Sequence, residues 1–299
     1  MAQSPHPLPA DLCGRAFFVA EHPEIPRSRT RASDLWTPVR GVRLPADMHD
    51  LVDRCRAHAL TLPLGAVFSD ATAGRLRMLP LPRRLTDDTL HVTVPHGTRA
   101  PRRRDRVHGH SRALEPADCA WLFGIPVTSP SRTYLDLAST LDLRELVAVG
   151  DRLLSARDPL AGIADLRTIV AHHSGARGAK IARLALELLT DRAESPKESE
   201  LRILLIEAGY ADLDVNVEVF DDAGTFVARV DLALTRLRIA IEYEGDHHRD
   251  RAQWQRDLAR RRRLEAVGWT YITVTQTDLE HPVPLLADLA AAVSRASGQ

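Results

Sequence analysis

The chain has 299 residues, of which 44% are hydrophobic and 27% charged, and its 40 Lys and Arg balance its 40 Asp and Glu. This composition is typical of a folded globular protein with room for two domains. We expect no membrane span, because no run of about eighteen apolar residues occurs. The N-terminus lacks the basic start and apolar stretch of a secretory signal. Three widely spaced cysteines argue against disulfides and a zinc ribbon, so we expect a cytoplasmic protein.

The first 45 residues predict a small winged helix-turn-helix. Its helices would cover Leu12 to Glu21 and Ser28 to Leu35, with Arg29 and Arg31 on the second helix and Arg40 in the wing. On this interpretation the arginines contact DNA phosphates or base edges. The alternative is that they are ordinary solvated surface, and the sequence does not decide between the two.

Residues 46–192 predict a mainly helical α+β region. A helix from Met48 to Leu60, a strand at His91 to Val94 and a helical stretch from Arg132 to about Ser155 are its clearest elements. The basic run Arg102-Arg103-Arg104 lacks interleaved aromatic residues, so it indicates a solvated loop that can contact a phosphate backbone without reading sequence. A polar joint at Arg192 to Ser195 then predicts a domain boundary.

Residues 195–299 predict an α/β sandwich with the element order αβββαβα. Ser195 and Glu198 form a capping box around Pro196 and begin a helix. Three strands, an arginine-rich helix from about Arg251 to Val267, a fourth strand and a last amphipathic helix follow. This part holds 13 Lys and Arg against 18 Asp and Glu, whereas the preceding residues hold 27 against 22. A basic region beside an acidic one is typical of a protein with a nucleic-acid partner.

Three acids, Asp231, Glu242 and Glu244, fall on two strands of this domain. Side chains alternate along a strand, so Glu242 and Glu244 share one face while Ile239, Ile241 and Tyr243 point the other way, into a core. If Thr235-Arg236 is the hairpin loop, Asp231 lies opposite Ala240 and Glu242 is its diagonal neighbour at roughly 7 Å. Two carboxylates at that separation can share Mg²⁺ or Mn²⁺. The alternative is an exposed sheet face whose acids only keep it soluble.

The C-terminal third resembles the very-short-patch-repair-related (Vsr-like) endonuclease domain of the PD-(D/E)xK superfamily. The residues that carry the resemblance are Ser195-Pro196-x-Glu198, Val230-Asp231, Ile241-Glu242-x-Glu244-Gly245-x-x-His248, Asp257-x-x-Arg260 and Gly268-Trp269. The preceding region resembles AbiEi-like antitoxin proteins through Arg40-Gly41-Val42, His91-Val92-Thr93-Val94-Pro95 and Pro126-Val127-Thr128-Ser129-Pro130-Ser131-Arg132-Thr133.

The nuclease resemblance implies a restriction-endonuclease-like αβββαβ fold and a role for each matching residue. Asp231 and Glu242 would hold the metal, and His248 would activate water. Arg260, or Arg261 beside it, would supply positive charge at the scissile phosphate. Glu244 stands where the superfamily usually has a Lys, and a carboxylate cannot stabilise a pentavalent phosphate. Glu198 is a further catalytic candidate, although capping alone would account for it.

The sequence therefore predicts a Mg²⁺-dependent DNA endonuclease or nickase that hydrolyses phosphodiesters and uses no small organic cofactor. The alternative is a non-catalytic DNA-binding regulator, or antitoxin-like protein, built on a degenerate nuclease fold. RNA as the substrate, a homodimer and a protein partner all remain open.

Overall fold

A computed structural model of the chain describes residues 6–101, 106–245 and 251–298, with the backbone alone for 251–254. It divides into two compact units, Met1–Ser139 and Thr140–Gln299, here called unit 1 and unit 2. Helices and sheets occur in both, so the fold class is mixed α/β. Within the described part of the chain, no helix is both long and apolar enough to cross a bilayer.

Unit 1 opens with a small three-stranded antiparallel sheet in the order β1-β3-β2. The strands are β1 (Phe17–Phe18), β2 (Leu35–Trp36) and β3 (Val42–Pro45). Only short 3-10 turns accompany them, and over residues 6–50 the structure has no α-helix.

The winged helix-turn-helix predicted for residues 1–45 was therefore wrong. Phe17 and Phe18, read as helical, instead pair with Arg43 and Val42 in the sheet. Aromatic residues favour such pairing. Prolines at 23, 26 and 38 also interrupt any longer helix. Cross-strand pairing thus outweighs weak local helix preference here.

A five-stranded sheet, in the order β6-β5-β4-β8-β7, forms the core of the rest of unit 1. Its elements, in chain order, are α1 (Leu51–Ala59), β4 (Val67–Phe68), α2 (Asp70–Leu76), β5 (Leu90–Pro95), β6 (Val107–Arg112), β7 (Cys119–Leu122), β8 (Ile125–Thr128) and α3 (Pro130–Leu137). Strand β6 is an edge strand parallel to β5. Gly109, in the middle of β6, admits no side chain, because a Cβ atom there would collide with the backbone of Pro101.

Unit 2 begins with helices and continues with a four-stranded sheet in the order β12-β11-β10-β9. Its elements are α4 (Leu143–Leu154), α5 (Ile163–His172), α6 (Ala179–Leu186), α7 (Pro196–Glu207), β9 (Asp214–Phe220), β10 (Phe226–Leu234), β11 (Ile239–Tyr243), α8 (Arg251–Ala266), β12 (Thr270–Val274), α9 (Gln276–Glu280) and α10 (Val283–Ser297). Strands β9, β10 and β11 form an antiparallel meander, and β12 runs parallel to β11. From α7 to β12 the element order is the expected αβββαβ.

The boundary between the units differs from the polar joint at 192–195. Helix α4 packs on α6 and α7, so the helices of residues 143–186 join the compact unit that contains the C-terminal sheet. The helix expected from Arg132 to about Ser155 is also divided, because Asp142 caps the start of α4 through a bond from the Glu145 backbone N–H.

Both faces of the four-stranded sheet are covered. On one face, Leu232, Ile239 and Ile241 form a core with side chains of α7 and α10, and Tyr243 packs against it. On the other, Ala240 packs with Leu264 of α8. The alternation expected for Ile239, Ile241 and Tyr243 is thus confirmed, and Glu242, the acid of β11, belongs to the face beneath α8.

Candidate functional site

The hairpin between β10 and β11 sets the relative positions of the acids. Its loop is four residues long, a 3-10 turn at Thr235–Leu237 closed by Arg238 in the left-handed region with φ 50°. The cross-strand pairs are Leu232 with Ile241, Ala233 with Ala240 and Leu234 with Ile239.

The predicted two-residue loop and the pairing of Asp231 with Ala240 were therefore wrong. The register differs by two residues, a change that keeps every side chain on its expected face. If this register is continued by one residue on each strand, beyond the pair Leu232–Ile241, Asp231 lies directly opposite Glu242 instead of diagonal to it. Directly opposed Cβ atoms lie about 4.5–5.5 Å apart, which is less than the roughly 7 Å expected for a diagonal pair.

Glu242 is 4% exposed and has donors on both carboxylate oxygens. Arg260 of α8 donates from Nη1 to Oε2 at 2.8 Å and from Nη2 to Oε1 at 2.5 Å. The Tyr271 hydroxyl donates to Oε2 at 2.7 Å. Arg260 Nη2 also donates to the carbonyl oxygen of Arg229, which connects α8 to β10 as well as to β11. The Arg260 guanidinium thus already pairs with the Glu242 carboxylate.

Burial raises the pKa of Glu242 to about 7 despite these donors. Arg260 and Tyr271 oppose the effect of burial, whereas the charges of Asp231 and Glu244 reinforce it. A carboxyl group with this pKa is partly protonated at neutral pH unless a further cation compensates its charge.

Asp231 is partly buried and accepts a hydrogen bond at Oδ2 from the backbone N–H of Tyr243 at 3.1 Å. Burial raises the pKa of Asp231 to about 6, with the charge of Glu198 as the next cause. The Tyr243 N–H and the charge of Arg260 act in the opposite direction. Burial and nearby carboxylates therefore both disfavour the charged form of Asp231.

Glu198 joins these acids from the first turn of α7. Ser195 caps the helix by accepting from the Glu198 N–H at 3.2 Å. The Glu198 carboxylate does not return to Ser195 but accepts from the backbone N–H of Glu194 at 2.9 Å, with Asn216 Nδ2 at 3.4 Å. Glu198 therefore takes part in the helix cap through its backbone N–H, and its carboxylate contributes negative charge near Asp231.

Glu244 follows the end of β11 and is half-buried. Its backbone N–H donates to the carbonyl oxygen of Val274 at 2.7 Å, which extends the pairing with β12 by one residue. Its charge raises the pKa of Glu242, as expected for side chains two positions apart on one face. Glu198, Asp231, Glu242 and Glu244 together are here called the carboxylate site.

The arginines predicted to bind DNA lie in different environments. Arg29 is 8% exposed, and its guanidinium donates to both oxygens of Asp34 at 2.8 Å, so its assignment to DNA was wrong. Arg31 and Arg40 are exposed. Arg261 is exposed, pairs with Glu265 at 2.8 Å and lies 5.7 Å from the centroid of the Tyr271 ring. Arg102, Arg103, Arg104 and His248 lie outside the described residues.

A second cluster of chemically active side chains was not predicted. His91, His108 and His110 meet on the five-stranded sheet, beside Asp70. Burial lowers the pKa of His91, and it lowers that of His110 to about 4. The spacing His108-x-His110 on one strand was a usable signal, since alternate residues share a face. The parallel pairing of β6 with β5 is non-local and could not be read from the sequence.

Comparison with known proteins gives relatives whose names state no function. No family model matches the chain. The uncharacterised proteins Rv2248 and MT2308, from two strains of Mycobacterium tuberculosis, are each 31% identical over 171 residues, which cover 56% of this chain and 62% of each relative. The match thus spans about three fifths of the length of these relatives. A crystal structure of the RV2827C protein from Mycobacterium tuberculosis is similar with a TM-score of 0.38 and 18% identity, over 57% of this chain and 65% of that one.

Proposed function

We propose that the protein is a metal-dependent DNA endonuclease or nickase with a restriction-endonuclease-like domain, and that Asp231 and Glu242 hold Mg²⁺ or Mn²⁺. The observation that carries this proposal is the β10–β11 register, in which Leu232 pairs with Ile241, so that Asp231 and Glu242 are the next residues along the two strands. Their raised pKa values, caused first by burial and then by neighbouring carboxylates, support it, because a bound cation would offset the cost of the charged forms.

The residues present fit such an ion. Mg²⁺ prefers oxygen ligands and is often held by one or two carboxylates together with waters. Asp231 and Glu242 supply two carboxylates from adjacent strands, where packing on both faces of the sheet fixes the backbone. When bound, the ion would polarise the phosphodiester and lower the pKa of a coordinated water.

Arg260 has a defined part in this proposal. Its guanidinium pairs with Glu242 and bonds the Arg229 carbonyl oxygen, while its side chain remains 31% exposed. A planar guanidinium binds phosphate with the same two-point geometry that it uses for a carboxylate. We infer that Arg260 releases at least one Glu242 oxygen and turns to the scissile phosphate when DNA and metal arrive. This would supply the positive charge that Glu244 cannot.

The remaining assignments extend the proposal beyond the carboxylate site. Arg31, Arg40 and Arg261 are exposed and available for DNA backbone contacts. On the sequence alone, we also assign DNA backbone contacts to Arg102, Arg103 and Arg104. His248 is assigned the role of activating water. DNA is proposed as the substrate because the resemblance to the Vsr-like domain implies it, and RNA is the alternative substrate that the same assay can test.

One observation favours the alternative of a non-catalytic DNA-binding regulator. Arg260 and Tyr271 together occupy both oxygens of Glu242, and Glu244 replaces the usual Lys. A nuclease fold that has lost its metal site would retain such an internal ion pair as a structural element. Under this alternative, DNA binding would survive chelation of divalent ions, and no cleavage would accompany it.

Plasmid nicking tests the proposal. Four proteins are incubated with supercoiled plasmid and Mg²⁺ or Mn²⁺: wild type, Asp231→Asn, Glu242→Gln and the control Arg263→Ala. Arg263 is an exposed arginine of α8, the helix that carries Arg260. We expect wild type and the control to nick the plasmid and both acid variants to lose at least about 100-fold in rate, since metal polarisation contributes several kcal/mol. Equal nicking by all four proteins would exclude this site. Chelation-resistant DNA binding by an inactive wild type would establish the regulator instead.

A further inference from the structure

Three imidazole rings lie together on the five-stranded sheet of unit 1, in a cluster here called the histidine triad. His91 is on β5, and His108 and His110 are on the neighbouring edge strand β6. In the parallel register, His91 pairs with His108 and Thr93 with His110. Residues two apart share a face, and so do registered partners, so the backbone itself brings all three rings together.

The rings lie within contact distance of one another. The centroids of His108 and His110 are 4.6 Å apart, with the ring planes 18° apart. Those of His91 lie 5.2 Å from His108 and 5.3 Å from His110. Nδ1 of His91 is 3.1 Å from Nε2 of His110. One ring nitrogen from each residue can be chosen so that all three lie within 4.8 Å of one another.

These separations suit a transition-metal ion. Zinc–imidazole bonds of 2.0–2.1 Å in a tetrahedron put the ligand nitrogens about 3.4 Å apart. The His91–His110 pair is already near that value, and the three rings offer nitrogens within 4.8 Å of one another, so metal binding would bring them closer together. Imidazole suits zinc and its neighbours, whereas Mg²⁺ prefers oxygen ligands.

Buried and partly buried groups hold the triad in place. Arg112 donates to both oxygens of Asp70, at 2.7 and 2.9 Å, and Ser69 Oγ donates to Asp70 Oδ2 at 2.7 Å. Asp70 Oδ2 lies 3.5 Å from His110 Nε2. The Thr72 hydroxyl accepts from the backbone N–H of His91 at 2.7 Å.

We propose that His91, His108 and His110 bind one divalent transition-metal ion of the zinc class. Arg112 and Ser69 engage the carboxylate of Asp70, which leaves the fourth coordination position to solvent or to an oxygen ligand. Three imidazoles with one open position are the ligand set of zinc sites that exchange a bound molecule. This inference does not depend on the carboxylate site, which lies in unit 2.

Zinc titration of the full chain, without a polyhistidine tag and after chelator treatment, tests the proposal. Competition with a chromophoric zinc chelator gives the stoichiometry and the affinity. We expect one Zn²⁺ per chain at the triad. His108→Gln and His110→Gln should each weaken Zn²⁺ binding by more than the roughly 10- to 100-fold that is lost when only a hydrogen-bond partner of a metal ligand is removed. His96→Gln, an exposed histidine beyond the end of β5, is the matched control and should retain wild-type affinity.

Two further measurements separate loss of metal from loss of fold. Circular dichroism in chelator should be the same for all variants, and Zn²⁺ should raise the thermal midpoint of wild type and His96→Gln but not of the triad variants. If a single variant is unfolded, His91→Gln, on the other strand, provides the same test. Absence of stoichiometric zinc binding by wild type, or binding that the triad variants leave unchanged, would overturn the proposal.

Discussion

Arg260 balances part of the negative charge of the carboxylate site. Its guanidinium neutralises Glu242, which is almost completely buried, so a metal ion must compete with it for the same oxygens. Removing one partner of a buried ion pair leaves an uncompensated charge, which costs more than the pair itself contributes. Arg260 therefore stabilises the fold, and under the proposed function it would compete with metal binding.

Substitution of Arg260 should make stability depend on divalent metal. In chelator, Arg260→Ala should lose about 2 kcal/mol of unfolding free energy, a value discounted for the partial exposure of the arginine. Millimolar Mg²⁺ should restore much of this loss, because the freed carboxylates then bind the ion. Chemical denaturation with and without Mg²⁺ measures both effects, with Arg263→Ala as the control. A variant that Mg²⁺ does not stabilise would argue against a metal site here.

The raised pKa of Asp231 predicts a specific pH dependence of stability. The folded-state pKa of about 6 lies above the model-compound value of 3.8, so folding favours the protonated acid. Its stabilising contribution is complete below pH 4 and is lost as the pH rises to about 6. In chelator, wild type should therefore lose about 2 kcal/mol relative to Asp231→Asn over this interval.

The control for this measurement is Asp288→Asn, at an exposed position of α10. Its stability difference from wild type should stay nearly constant over the same pH range. Parallel curves for wild type and Asp231→Asn between pH 4 and 6 would show that Asp231 is not in the electrostatic environment described above.

At the scale of single elements, the β10–β11 hairpin shows what local pattern can and cannot predict. Alternation correctly assigned Ile239, Ile241 and Tyr243 to the core and placed Glu242 on the other face. The predicted loop length was wrong because Arg238 adopts a left-handed conformation that usually favours Gly or Asn. The residues of the loop therefore contain no turn signal. The opposition of Asp231 and Glu242 thus required the structure.

The start of α7 provides a prediction at this scale. Ser195→Ala should cost about 1 kcal/mol of unfolding free energy, because it removes the acceptor for the Glu198 N–H. Ser195→Thr retains the hydroxyl and should cost clearly less. Denaturant titration of the two variants checks the difference, and equal losses would mean that the cap contributes no stability.

At the scale of the whole molecule, the accuracy of the sequence interpretation differed between the two units. From residue 195 onward, regular helix periodicity, a clear cap and alternating strands agree with one another, and the element order was predictable. In residues 6–50 the strands are only two to four residues long and pair across distant positions, so no local pattern reveals them. The histidine triad was missed for the same reason, because it depends on the pairing of β5 with β6.

Charge is distributed unequally between the two units. Unit 1 contains 19 Lys and Arg against 14 Asp and Glu, and unit 2 contains 21 against 26. The carboxylate site thus belongs to the acidic unit, where divalent cations would be attracted and DNA phosphates repelled. Under the proposed function, a metal ion is needed to offset that repulsion as well as to assist the chemistry.

Crystallographic anomalous scattering from a crystal soaked in Mn²⁺ tests the central claim most directly. We predict an anomalous peak within about 2.0–2.5 Å of carboxylate oxygens of both Asp231 and Glu242, with the Arg260 guanidinium displaced from at least one Glu242 oxygen. A map with no peak between these side chains, and with Arg260 still paired to both oxygens of Glu242 at saturating Mn²⁺, would contradict the metal-dependent nuclease proposal.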